Sequence, residues 1–135
     1  MEKSMFDKGF ENRKKVLGAQ HVEKSWAAAD DFNRPIQELV TAYCWGEVWG
    51  REGLPHATRS MLNIAMLSVM NRNHELGLHV RGALRNGVTV AEIQEILMQV
   101  AIYGGVPASL EAFRVASEAI KAYNAEVAAE TAAKT

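Results

Sequence analysis

The sequence is poor in cysteine, in proline, in long apolar runs and in any excess of one charge, and each shortage narrows what it can be. Its single cysteine, Cys44, rules out an intramolecular disulfide and leaves no Cys-x-x-Cys for zinc or dithiol chemistry, so a reducing cytoplasm is the expected compartment. Proline occurs only three times and 48% of residues are hydrophobic, which argues against wholesale disorder. The most apolar stretch, Met61 to Met70, is too short to cross a bilayer and is interrupted by Asn63 and Ser68, so it reads as a buried helix. Met1 to Gly18 is charged throughout and carries no signal-peptide core. A formal net charge of −1, with both signs interspersed, recommends neither nucleic acid nor membrane as partner.

What is present is helical periodicity. A length of 135 residues suits one domain, 1–135, read as N-terminal helices with a Trp/Gly-rich segment over 1–55, core helices over 56–127 and a frayed tail over 128–135. Met5, Phe6, Gly9, Phe10 and Arg13 recur at helical spacing, and Gly18 closes that helix. Val22 to Ala29 follows with Trp26 as anchor, and Asp30-Asp31 is the expected cap of a helix carrying Ile36, Leu39, Val40, Tyr43 and Cys44 inward. A helix from about His56 is apolar nearly all round, which predicts that other subunits cover part of it. Thr89-Val90-Ala91-Glu92 is a capping box, opening a helix with Val90, Ile93, Ile96, Leu97, Val100 and Tyr103 in register. Gly104-Gly105 ends it and Pro107 begins the last helix, with Leu110, Phe113, Ala116, Ile120 and Tyr123 expected inside. No segment alternates like a strand, so the fold class is all-α, with six or seven helices.

Chemistry is concentrated around Asn73 to Gly87. On a helix there, Glu75 and His79 share a face, and Arg72 lies one turn further toward the N-terminus on the same line. Gly77 and Gly82 suggest close approach by a backbone or ligand. Arg81, two residues from His79, points about 200° away from it. Trp45 and Trp49, with Glu47 between them, read either as core plugs or as the wall of a pocket. Arg59 sits where the helix dipole disfavours a cation, which calls for an anionic partner, from Glu47 or from a ligand. His21, His56 and His74 are expected at the surface. No metal site is expected, since no His-x-x-x-His or clustered carboxylates occur.

These blocks, Trp45-Gly46-Glu47-Val48-Trp49, Gly53-Leu54-Pro55 with Thr58-Arg59-Ser60, Glu75-Leu76 with His79 to Gly87, and Tyr103 to Ala108, resemble the carboxymuconolactone decarboxylase family across almost the whole chain. The wider alkylhydroperoxidase-D-like superfamily carries Cys-x-x-Cys-x-x-x-His on its active helix. Here Arg72 and Glu75 stand where the two cysteines would be, so dithiol peroxidase chemistry is excluded. The resemblance implies that helical fold, a ring-shaped homo-oligomer, commonly a hexamer, and a small dicarboxylate lactone substrate from protocatechuate catabolism. It also implies decarboxylation without cofactor, because the lactone is its own electron sink. On that reading His79 delivers the proton, Glu75 or Glu47 orients it, Arg59 and Arg81, with Arg72 behind them, clamp carboxylates, and Trp45 and Trp49 exclude water. A sibling acting on another lactone or β-keto acid, and an oligomeric ligand-binding protein without activity, are the rival readings.

Overall fold

The computed structural model describes residues 4–134, which fold as seven α-helices with a π-helical continuation of the third. The described residues form two compact units, one up to Arg59 and one from Ser60, the division falling inside the fourth helix. No helix among them is long and apolar enough to cross a membrane.

In the N-terminal unit, α1 (Met5–Leu17) is capped by Ser4, whose hydroxyl accepts from the Asp7 amide at 3.1 Å, and ends at Gly18. Trp26 of α2 (Ala19–Ala27) packs on Phe6 and Phe10, with ring centroids 5.2 and 6.2 Å away. Asp30 does not cap the next helix directly. Its Oδ1 accepts from the amides of Phe32 and Asn33, and Asn33 occupies the cap of α3 (Arg34–Leu39). From Val40 to Val48 the chain winds as a π-helix, with about one more residue per turn than an α-helix. Ile36 and Leu39, which precede it, and Tyr43 within it, all expected inside, are exposed, because α1 seats on the side that carries Thr41 and Gly46, buried together with Trp45.

Two glycines let α1 lie directly on this π-segment. A Cβ on Gly9 would fall onto the Thr41 carbonyl oxygen, and one on Gly46 onto that of Met5. Beside them Arg13 is buried, its Nη1 donating to Gln37 Oε1 at 3.0 Å and Thr41 Oγ1 at 3.3 Å. Burial lowers its pKa and raises that of Cys44, each partly offset by the other.

The C-terminal unit is built from the rest of α4 (His56–Val69), α5 (Asn73–Arg85), α6 (Val90–Tyr103) and α7 (Val106–Ala133). Both α5 and α6 pack on α7, which offers the small residues Ser109, Ala112, Ala116 and Ala119 and so permits close approach. Leu76, Val80, Ile93, Leu97 and Val100 fill the space between. The capping box forms as the sequence predicts, Thr89 Oγ1 accepting from the Glu92 amide and Glu92 Oε1 from the Thr89 amide. Val90, Tyr103 and Leu110, expected inside, are exposed, because α6 and α7 meet along Ile93, Leu97 and the small residues. Reversal between α4 and α5 is made by Asn71 at φ 58°, a conformation asparagine tolerates better than most residues.

Helix α4 is polar on its inner side and apolar on its outer side. Ser60 and Ser68 are buried with Ile64, whereas Leu62, Met66, Val69 and Met70 are about half exposed. The Ser68 hydroxyl is satisfied by donating to the Ile64 carbonyl at 2.7 Å.

Candidate active site

His79 lies in the middle of α5 and is half-buried, with its Nδ1 3.4 Å from Nδ2 of Asn63 on α4. Glu75, one turn earlier, is exposed and attracts a proton to the ring, but loss of hydration outweighs that attraction and lowers the His79 pKa to about 4. The ring is therefore neutral at pH 7 in the unliganded protein.

The line of side chains expected on α5 is only partly realised. Arg72 occupies the N-cap position with φ −94° and ψ 75°, outside the helix, and is exposed. Gly77 has no close neighbour: a Cβ there would meet only Val115 Cγ1 at an ordinary 3.8 Å. Arg81, on another side of the helix as its spacing predicts, lines a groove of about 430 Å³ between α5 and α7, with Leu78, Val115 and Arg114. Arg114 is engaged by Glu111 and Glu118.

In the N-terminal unit the two indoles form one cluster. Trp45 and Trp49 are buried and stacked, centroids 4.7 Å apart, and His56 meets Trp49 edge-on at 5.4 Å. His56 is half-buried, not a surface residue. Its Nε2 lies 3.1 Å from the Trp49 carbonyl, which can only accept, so the ring donates there. Arg59 turns to backbone rather than to Glu47: its Nη2 donates to the Arg51 carbonyl at 3.3 Å, and its Nε is buried with no hydrogen-bond partner. Glu47 is exposed. A crevice of about 390 Å³ opens beside Trp49, His56 and Arg51, with Lys8 and Lys15 on its rim.

Two residues escaped the sequence reading. Asn63 was visible only as a polar interruption of an apolar helix, and its partner is 16 positions away. His56 follows a Gly-Leu-Pro turn and carried no signal of burial.

The carboxymuconolactone decarboxylase family model matches residues 34–118, a span that holds every candidate residue above. The chain belongs to the carboxymuconolactone decarboxylase family. It is 40% identical over 120 residues to a 4-carboxymuconolactone decarboxylase of Acinetobacter baylyi, covering 89% of this chain and 90% of that one. It is 42% identical over 120 residues to a nitrosuccinic acid decarboxylase of Metarhizium robertsii, covering 89% and 84%. A 4-carboxymuconolactone decarboxylase of Pseudomonas putida is 37% identical over 46 residues, which is 34% of this chain and 96% of that one. The matched span includes His79 with Glu75 one turn before it and Arg72 at the N-cap of α5.

Proposed function

We propose that the protein decarboxylates a small dicarboxylate that carries its own electron sink, with 4-carboxymuconolactone as the substrate and 3-oxoadipate enol-lactone and carbon dioxide as the products. The observation that carries this reading is His79, a half-buried neutral imidazole beside an amide, with Glu75 one turn before it and Arg72 at the helix cap where the superfamily pattern has its two cysteines. When the carboxylate on the quaternary ring carbon leaves, its bonding pair passes through the ring double bond to the lactone oxygen. Protonation of the carbon next to that carbonyl then gives the enol-lactone. A dianion arriving beside His79 raises the proton affinity of the ring, so substrate brings the charged acid into being. Glu75 assists by holding negative charge one turn away, and Glu47 is the alternative orienting carboxylate. Arg59, whose Nε lacks a partner, is the first carboxylate clamp; Arg81 and Arg72 are the others, and Trp45 and Trp49 keep water out.

Turnover is followed as the change in ultraviolet absorption when the conjugated lactone rearranges. His79→Gln lowers kcat by on the order of 10²-fold if the ring transfers the proton, and near-normal turnover removes it from that role. Arg59→Ala raises KM more than it lowers kcat; unchanged kinetics dismiss it as a clamp.

Nitrosuccinate is the second substrate to assay, favoured by the 42% identical relative. Its nitro group is an electron sink on the carbon that loses the carboxylate, so the same acid and clamps serve it. Faster turnover of nitrosuccinate than of the lactone reassigns the substrate and keeps the reaction type. The outward apolar side of α4 supports a further part of the proposal, a homo-oligomer of hexameric ring form, tested by sedimentation of the wild type against Leu62→Glu.

A further inference from the structure

Asn63 interrupts the apolar α4, and its carboxamide meets Nδ1 of the imidazole that the proposed reaction uses. The arrangement does not hang on this contact alone. Asn86, at the end of α5, donates from Nδ2 to the buried Ser60 Oγ at 2.9 Å, a second link from α5 to α4. A neutral ring that accepts at Nδ1 carries its hydrogen on Nε2. A carboxamide has a property that a carboxylate lacks: half a turn about its last torsion exchanges donor for acceptor without changing volume or charge.

Within the decarboxylase reading given above, we propose that Asn63 is the positioning residue for His79. Its carboxamide donates to Nδ1 of the resting neutral ring and turns over to accept from Nδ1–H once a proton taken from water has charged the ring there. The proton then leaves Nε2 for the ring carbon beside the lactone carbonyl. The electron pair released with carbon dioxide forms the new C–H bond, and the imidazole is left neutral with its hydrogen on Nδ1, facing the amide oxygen. One proton exchange with water and the reverse half-turn restore the resting state. Aspartate at this position fixes the hydrogen on Nδ1 and adds negative charge beside an anionic ligand. Leucine offers Nδ1 nothing.

The test is the ring nitrogen spectrum of His79 in histidine-labelled, ligand-free protein at neutral pH, assigned by comparison with His79→Gln. Wild type is expected to show an unprotonated Nδ1 and a protonated Nε2. Asn63→Asp moves the hydrogen to Nδ1 or charges the ring, and Asn63→Leu gives a tautomer mixture. In Asn63→Leu kcat falls by on the order of 10-fold while KM stays within about two-fold, a split that general loss of structure does not produce, and in Asn63→Asp the added charge raises KM as well. A protonated Nδ1 in wild type, or identical spectra in all three proteins, overturns the proposal, and the wild-type spectrum decides even if a variant fails to fold. Absence of turnover on both the lactone and nitrosuccinate removes the catalytic half of the proposal and the reading beneath it, while the spectra still decide the tautomer.

Discussion

The two units are held together by different means. In the N-terminal unit backbone lies on backbone: Gly9 and Gly46 bring α1 onto the π-segment, and buried Arg13 and Thr41 supply hydrogen bonds between them. In the C-terminal unit aliphatic side chains from α5 and α6 close on a small-residue face of α7. Contact between backbones depends on having no side chain at two positions, so it tolerates almost no substitution there. Contact between side chains depends on volume, and its failures are graded by how much is removed.

The difference can be broken from either side. Leu97→Ala, at a fully buried position of α6, is expected to cost about 3–4 kcal/mol in chemical denaturation through lost transfer energy and a cavity. Gly9→Ala adds one methyl where the Thr41 carbonyl already sits, and α1 must lift; a loss of about 2–3 kcal/mol is expected. A loss below about 1 kcal/mol shows that the two helices can slide apart cheaply, and the contrast with the C-terminal unit disappears.

Acid acts on the C-terminal unit through His79. Its folded pKa, about 4, lies below the ordinary 6.5, so the stability it contributes is complete above pH 6.5 and is lost as pH falls through 4. The loss, on the order of 3 kcal/mol, shows as a difference in acid unfolding between wild type and His79→Gln, which lacks the titrating ring. Coincident acid curves exclude a buried neutral imidazole. Smallest is Gly104→Ala. The new methyl would come within 2.7 Å of Val69 Cγ2, which is half exposed and can turn aside, and 3.0 Å of the Val100 carbonyl oxygen, from which a shift of a few tenths of an ångström relieves it, so about 1 kcal/mol is expected.

The same contrast explains what the sequence made legible. Side-chain periodicity marked Ile93, Leu97 and Val100, and cap chemistry marked Gly18 and the Thr89–Glu92 box, because these signals are local. The π-segment was not legible. The apolar spacing through Ile36, Leu39, Val40 and Tyr43 pointed to a side that α1 does not cover, and of the residues buried in the segment only Trp45 was legible as a possible core plug. Gly9 carried the signal of the helix contact but no indication of its partner. At the candidate site, the residue types His79 and Glu75 were plain and their spacing was right. The depressed proton affinity of His79 and its pairing with Asn63 follow from packing between α4 and α5, which no spacing within one helix encodes.

Leu62 and Asn63 are consecutive residues of α4, about 100° apart around its axis, the one about half exposed and the other beside His79. If a second copy seats on Leu62, as the proposed oligomer requires, it bears on the same turn that presents the amide to the imidazole. Turnover per protomer would then depend on protein concentration, a readout that ties assembly to the ring.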